Sequence, residues 1–317
     1  MSKLKIIYSG TPEFAVEPLK KLVDNGYDIA AVITSPDKPA GRGMHLRHSA
    51  VKEFALKHGL NILQPTKLKD YDFLDSVRKL HADLHIVVAF RMMPEELWSM
   101  TPMGTFNLHA SLLPQYRGAA PINRAIMNGE KETGVTTFFL RHEIDTGDII
   151  LSEKIPIGED ETAGELHDKL MMTGAELVLK TVRMIEAGNV KTHPQNAGAP
   201  LKNAPKIFKD DCRINWENST EQIYNQIRGL SPYPGAFTTL ISKEGKETGL
   251  KIFKSVKTES AIKTNSGEIT SDQKNYVRIG CANGSLEITE VQLEGKRKMN
   301  IQEFLRGFSF KDYIVKK

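Results

Sequence analysis

The 317-residue sequence contains only two cysteines, Cys212 and Cys281. Two thiols make neither a disulfide framework nor a cysteine-rich metal site, so stability has to come from packed cores. No apolar run approaches the roughly 20 residues that cross a bilayer, and Met1-Ser2-Lys3-Leu4-Lys5 leads straight into a strand-like run without a leader pattern. A cytoplasmic protein with no membrane partner is the expectation. The Gly-x-Gly-x-x-Gly of dinucleotide-binding folds is missing, since the first turn reads Ser9-Gly10-Thr11-Pro12-Glu13-Phe14. No Gly-Lys-Ser/Thr phosphate loop occurs either. Both absences count against a dehydrogenase or a nucleotide-binding module. His45-x-x-His48 and His81-x-x-x-His85 have spacings a metal could use, but no cysteine or suitable carboxylate stands beside them. They read as surface histidines, and no metal is expected. Internal repeats and low-complexity tracts are lacking too.

What is present is globular: 40% hydrophobic and 26% charged residues, in a chain long enough for two domains of ordinary size. The net charge of +4 is uneven, with 19 Lys and Arg against 14 Asp and Glu from Lys206 onward and 24 against 25 before it. A mildly basic C-terminal part suits a polyanionic partner, but the excess is small and decides nothing alone, since exposed lysines that merely keep a domain soluble are the commoner cause.

The first half alternates strand and helix signals. Lys5 to Tyr8 reads as a buried strand, followed by a helix with Thr11 as N-cap, Pro12 at its first position and Asn25-Gly26 at its end. Ile29 to Thr34 is a second strand and Val51 to Lys57 a helix. Ile86 to Ala89 is a strand apolar on both faces, as buried parallel strands are. Strands follow at Thr105 to His109, Val135 to Leu140 and Asp148 to Lys154, with a helix at Ile122 to Met127. Thr162 and Glu165 form a capping-box signature opening a long helix that ends near Gly188. This order predicts an α/β fold with an open, doubly wound, mostly parallel sheet over residues 1–188.

Residues 189–205 carry Pro194, Pro200 and Pro205 without periodicity and read as a surface linker. Short strands follow at Arg213 to Trp216, Ala236 to Ile241, Leu250 to Val256, Tyr276 to Gly280 and Leu286 to Leu293, with Asn283-Gly284 as a hairpin turn and one helix at Thr220 to Ile227. Residues 206–317 are therefore expected to form a small, partly open barrel of the oligonucleotide-binding type.

The chemistry concentrates in Asn107-Leu108-His109-Ala110-Ser111-Leu112-Leu113-Pro114. Residues two apart on a strand face one side, so Asn107 and His109 share a cleft at the C-terminal end of a strand, where open α/β sheets bind ligands. Taken alone, Asn-x-His is more often a turn cap and a satisfied core histidine. The continuation changes that balance: Gln115-Tyr116-Arg117-Gly118-Ala119-Ala120-Pro121-Ile122 follows at once, and Asp145-Thr146-Gly147-Asp148 lies between two expected strands.

This constellation resembles the folate-dependent formyltransferase family, and within it the branch acting on methionyl-tRNA. The resemblance covers nearly the whole chain, including Pro232-Tyr233-Pro234-Gly235-Ala236. It implies Asn107, His109 and Asp145 as catalytic residues and the Ser111, Leu112, Leu113 and Pro114 segment as lining for the folate. It further implies 10-formyltetrahydrofolate as co-substrate and initiator methionyl-tRNA as partner; a monomer is expected. The basic loop Ser35 to His48 contains Lys-Pro-Ala-Gly-Arg-Gly and resembles the family's insert against the tRNA acceptor end, with Arg42 as the contact. The general reading of such a loop is a solvated surface turn. Two stretches depart from the family: Phe90-Arg91-Met92-Met93-Pro94 and Arg141-His142-Glu143-Ile144. Both should border the folate.

The reaction itself needs little from the protein. An α-amino group has a pKa of about 7.7–8.0, lowered when its carboxyl is esterified, so no enzyme nucleophile is required. The site must stabilise a tetrahedral oxyanion and move a proton. Asn107 offers a neutral donor, His109 a donor or proton carrier, and Asp145 a charge that orients the imidazole. Three alternatives remain: a formyltransferase acting on a sugar nucleotide or other small amine, a nucleotide-binding α/β module, and a non-catalytic tRNA-binding protein.

Overall fold

The computed structural model describes residues 4–40, 45–196, 198, 200–258 and 265–316. They form two compact units. The first comprises Met1–Gly118, Thr133–Ile155 and His167–Asn203; the second comprises Ala119–Glu132, Pro156–Leu166 and Ala204–Lys317.

The first unit is built on β1 (Lys5–Gly10), β2 (Asp28–Ile33), β3 (Ile62–Leu63), β4 (Leu84–Val88), β5 (Thr105–His109), β6 (Glu132–Phe139) and β7 (Ile149–Pro156), in the sheet order β7-β6-β5-β4-β1-β2-β3. Pairings from β3 through β5 are parallel, and β6 runs antiparallel to β5. Ile6, Ile7, Tyr8, Leu84, Ile86, Val88 and Phe106 are essentially inaccessible, because strands covered on both faces must be apolar throughout. Helices α1 (Val16–Asp24), α2 (Ala50–Lys57), α3 (Tyr71–Arg78) and α4 (Glu95–Trp98) connect these strands.

Two local expectations are corrected. The first helix does not begin at Pro12: a 3-10 turn over Glu13–Ala15 precedes α1. Tyr8 donates its buried hydroxyl to Ala15 O at 2.6 Å, and a Cβ on Gly10 would lie 2.6 Å from that of Ala15, so close strand-to-turn packing sets the start. His85 is no surface histidine. It is fully buried on β4 with Nε2 bonded to Ser9 Oγ at 2.8 Å, since its position on a central strand faces the core.

In the second unit, α5 (Pro121–Met127) and α7 (Thr220–Gly229) pack beside an antiparallel sheet. In sequence between them comes α6 (Ala163–Glu186), whose first turn belongs to this unit and whose remainder, from His167, belongs to the first; it opens with the expected box, Glu165 accepting from Thr162 N at 2.8 Å. The sheet strands are β8 (Ala236–Ser242), β9 (Glu247–Thr258), β10 (Ile269–Ser271), β11 (Val277–Cys281), β12 (Gly284–Leu293), β13 (Met299–Asn300) and β14 (Tyr313–Val315). Their order is β10-β11-β12-β9-β8-β14, with β13 paired to β12, a nearly closed barrel. A short helix, α8 (Ile301–Leu305), precedes β14. Ile223, Leu240, Ile252, Ile279 and Leu286 fill its core. Arg213 to Trp216 is not a strand. One bridge, Arg213 to Phe237, joins it to β8, and Trp216 is held by its side chain, the indole donating to Thr238 Oγ1 at 3.1 Å.

Candidate active site

The last turn of the parallel sheet delivers the candidate residues. Asn107 is half-buried and His109 buried at the C-terminal end of β5, where parallel β4 on one side and antiparallel β6 on the other fix the register. Asp145 sits in the loop between β6 and β7 at φ +55°, the left-handed region. That loop is tight: a Cβ on Gly147 would lie 1.6 Å from Phe139 O, so only glycine fits there.

The structure brings His109 and Asp145 together, with Nδ1 3.8 Å from Oδ2. That separation exceeds a hydrogen bond. The imidazole is oriented instead by the main chain, since Nε2 lies 2.8 Å from Tyr116 O. A carbonyl only accepts, so Nε2 carries hydrogen and Nδ1 is the nitrogen left to exchange a proton, facing the carboxylate. Oδ2 of Asp145 is held by the Gly118 N–H at 3.0 Å. Tyr116 has φ +60°, a turn conformation that aims its carbonyl back at the histidine.

The Ser111 to Pro114 segment divides in two. Ser111 and Leu113 are buried; Ser111 Oγ donates to Gln115 O at 2.6 Å, and Thr136 Oγ1 donates to Ser111 O at 2.7 Å. Leu112 and Pro114 are half-buried, with Leu112 packed where a Cβ on Gly134 would stand 2.6 Å away. The two stretches that depart from the family each contact other segments. His142 lies 3.3 Å from Glu95 and edge-on to Trp98, while Arg91 donates to Thr66 O at 3.0 Å. Met92 and Ile144 remain exposed. Arg42 lies outside the described residues. The base of its loop is tied by Asp37, which accepts from Lys52 Nζ at 2.5 Å and Gln64 Nε2 at 2.9 Å, with His48 Nδ1 3.1 Å away. These donors hold the Asp37 carboxyl far below the usual range, the Lys52 bond first. Among the described residues no cluster of three His, Cys, Asp or Glu is arranged to hold a metal.

Residues 2–182 match the formyl transferase family and residues 206–309 the formyl transferase C-terminal domain. The chain is 52% identical over 308 residues to the methionyl-tRNA formyltransferase of Bacteroides fragilis, covering 96% of this chain and 95% of that one. It is 53% identical over 310 residues to that of Parabacteroides distasonis, covering 96% of each. The chain belongs to the methionyl-tRNA formyltransferase family. It is thus a formyl-transferring enzyme, and that family uses a folate co-substrate. Distant solved structures share the fold alone. An N-formyltransferase from Helicobacter canadensis, in complex with folinic acid and dTDP-3-aminofucose, superposes with a TM-score of 0.67 at 22% identity, over 93% of this chain and 100% of that one. HypX from Aquifex aeolicus in complex with tetrahydrofolic acid gives 0.65 at 20% identity, over 100% of this chain and 51% of that one.

For a member of the methionyl-tRNA formyltransferase family, sequence reasoning missed the tethers. Tyr116 O is a main-chain group that any residue supplies, and Gly118 N–H one that any residue but proline supplies. Gln195, from the segment read as a linker, donates to Asp145 O at 2.9 Å and Gly147 O at 2.7 Å. The one available signal was a lone glutamine after Pro194 in a tract without periodicity.

Proposed function

We infer that this chain moves the formyl group of 10-formyltetrahydrofolate onto the α-amino group of initiator methionyl-tRNA, giving N-formylmethionyl-tRNA for translation initiation. The observation carrying this reading is an identity near one half over nearly the full length of curated methionyl-tRNA formyltransferases. The sugar-formylating alternative has support only from structures near 20% identity.

The chemistry follows from the residues. The amine nitrogen attacks the formyl carbon, a C–N bond forms, and the carbonyl oxygen becomes an oxyanion. Asn107, half-buried at the strand end, donates its amide to that oxygen. His109 takes the ammonium proton at Nδ1, and the Asp145 charge 3.8 Å away stabilises the imidazolium. The C–N10 bond then breaks and the proton passes to N10, so atoms and charge balance without a metal or a covalent enzyme intermediate. Leu112 and Pro114 offer apolar wall to the folate rings, while buried Ser111 and Leu113 act by holding the segment's shape. Arg42 contacts the acceptor end, for which a guanidinium is well suited. All three catalytic side chains lie in one unit of one chain, which supports a monomer as the active species.

The test is formyl incorporation from 10-formyltetrahydrofolate into charged initiator tRNA against 3-amino sugar nucleotides and free methionine esters. Faster transfer to a small amine than to the tRNA would overturn the assignment.

A further inference from the structure

Four hydrogen bonds converge on Gln195, the full capacity of a primary amide. Its Oε1 accepts from Arg117 Nε at 3.1 Å and Nη2 at 2.7 Å; its Nε2 donates to Asp145 O at 2.9 Å and Gly147 O at 2.7 Å. Two carbonyls on one side and a guanidinium on the other allow a single orientation of the amide. The backbone before Gln195 is pinned as well, because His193 and Ile149 exchange N–H to O bonds of 2.8 and 2.9 Å at the start of β7. All these groups belong to the first unit.

Each of the two things Gln195 joins positions one member of the catalytic pair. Arg117 stands between Tyr116, whose carbonyl holds His109 Nε2, and Gly118, whose N–H holds Asp145 Oδ2. The Asp145 to Gly147 turn carries the carboxylate itself, at a φ that side-chain-bearing residues adopt only at a cost of roughly 1 kcal/mol or more. Such a turn stays in place only when its neighbours over-determine it. We propose that Gln195 is a positioning residue for formyl transfer, clamping the Asp145 turn to Arg117 so that the carboxylate stays against His109. This rests on reading His109 and Asp145 as the reacting pair.

The test is steady-state formylation by the full chain with Gln195→Met, which keeps the volume and loses all four bonds. Gln195→Glu is compared with it, since it keeps an acceptor for Arg117 and loses both donors. A misplacement on the order of 1 Å costs up to about 10²-fold in rate, so kcat should fall about 10- to 100-fold in both variants. KM for tRNA and for folate should stay within about twofold, because the Gln195 amide spends its four hydrogen bonds on protein groups. The deciding readout is the double variant with Asp145→Asn. If Gln195 acts through Asp145, Gln195→Met should lower kcat no further in the Asp145→Asn background. A purely structural glutamine would lower kcat equally in both backgrounds, and that result overturns the proposal. So does wild-type kcat in Gln195→Met. If Asp145→Asn retains full kcat, the catalytic reading itself fails and the proposal with it. Loss in Asp145→Asn without loss in Gln195→Met removes the clamp and leaves the catalytic pair standing.

Discussion

Around His109 the chain holds side chains by main-chain groups: a carbonyl of Tyr116, an N–H of Gly118, and carbonyls of Asp145 and Gly147 gripped by one glutamine. In the C-terminal sheet, side chains pair with side chains across neighbouring strands. Arg278 meets Glu287 at 2.9 Å on β11 and β12, and Lys298 meets Glu290 at 3.0 Å. The contrast reflects what each region must do. Main-chain tethers fix an atom to within tenths of an ångström, as the proposed proton transfer requires. Partly exposed ion pairs contribute roughly 0–1 kcal/mol each and are screened by salt. They keep a surface ordered and soluble without committing it to one geometry.

The largest effects should therefore fall at the strand exit. Asn107→Ala should leave the fold intact and lower turnover about 10²–10³-fold, the usual loss for one oxyanion donor. His109→Ala should cost at least as much, and Asp145→Ala should remove the charge opposite Nδ1. Near-normal kcat in single-turnover assays of any of the three would remove that residue from the catalytic set.

A second effect, smaller and on stability, lies deeper in the same sheet. His85 is buried with Nδ1 unpartnered among the described residues, and burial pushes its pKa from 6.5 down to about 3. The fold thus keeps the ring neutral while the unfolded chain protonates it. Its contribution is fully retained above about pH 6.5 and lost progressively as pH falls toward 3, by at most about 1.4 kcal/mol per pH unit. Urea midpoints between about pH 7 and pH 4 should drop more steeply for the natural chain than for His85→Gln, whose amide can still meet Ser9 Oγ. Parallel curves would show that acid sensitivity arises elsewhere.

The parallel sheet was legible because its signals are local. Continuous apolar strands, Gly26 and Gly188 at helix ends, and the Thr162–Glu165 box all appear where periodicity puts them. Asn107, His109 and Asp145 stand out as a set because the surrounding string has a specific resemblance, and the fold brings His109 and Asp145 to 3.8 Å. What was not legible depends on distance in sequence. Gln195 reaches a turn 50 residues earlier, which no local pattern signals. His85 read as a surface histidine because its partner Ser9 is 76 residues away. The expected boundary at 189–205 follows the composition. The compact units instead assign Ala119–Glu132 and Pro156–Leu166 to the C-terminal residues. Asn123 donates to Gly229 O at 2.8 Å, and Arg228 donates to Glu161 O at 3.1 Å, contacts between segments more than sixty residues apart.

Those contacts decide how the smallest effect has to be measured. A chain ended near Asn203 would strip both segments of the residues they pack with, so loss of tRNA binding would report damage. A point change in the full chain is the cleaner probe of whether the barrel grips phosphate. On β9, Lys257 is engaged with Glu221 at 2.8 Å and Lys251 donates to Pro234 O at 2.8 Å. Lys254, exposed between them, makes no ion pair within 4 Å among the described residues, although its charge acts on Glu165. If it meets a tRNA phosphate, Lys254→Gln should weaken tRNA binding a few-fold at low salt and reduce the slope of log affinity against log salt by about one unit. The difference should close as salt rises. Turnover at saturating tRNA should stay at the natural level, since the lysine supplies neither the oxyanion donor nor the proton route proposed above. An unchanged salt slope would take Lys254 out of the tRNA interface. A fall in kcat at saturation would mean that the barrel shapes the reacting centre as well as holding the substrate, and the contrast between the two regions would no longer stand.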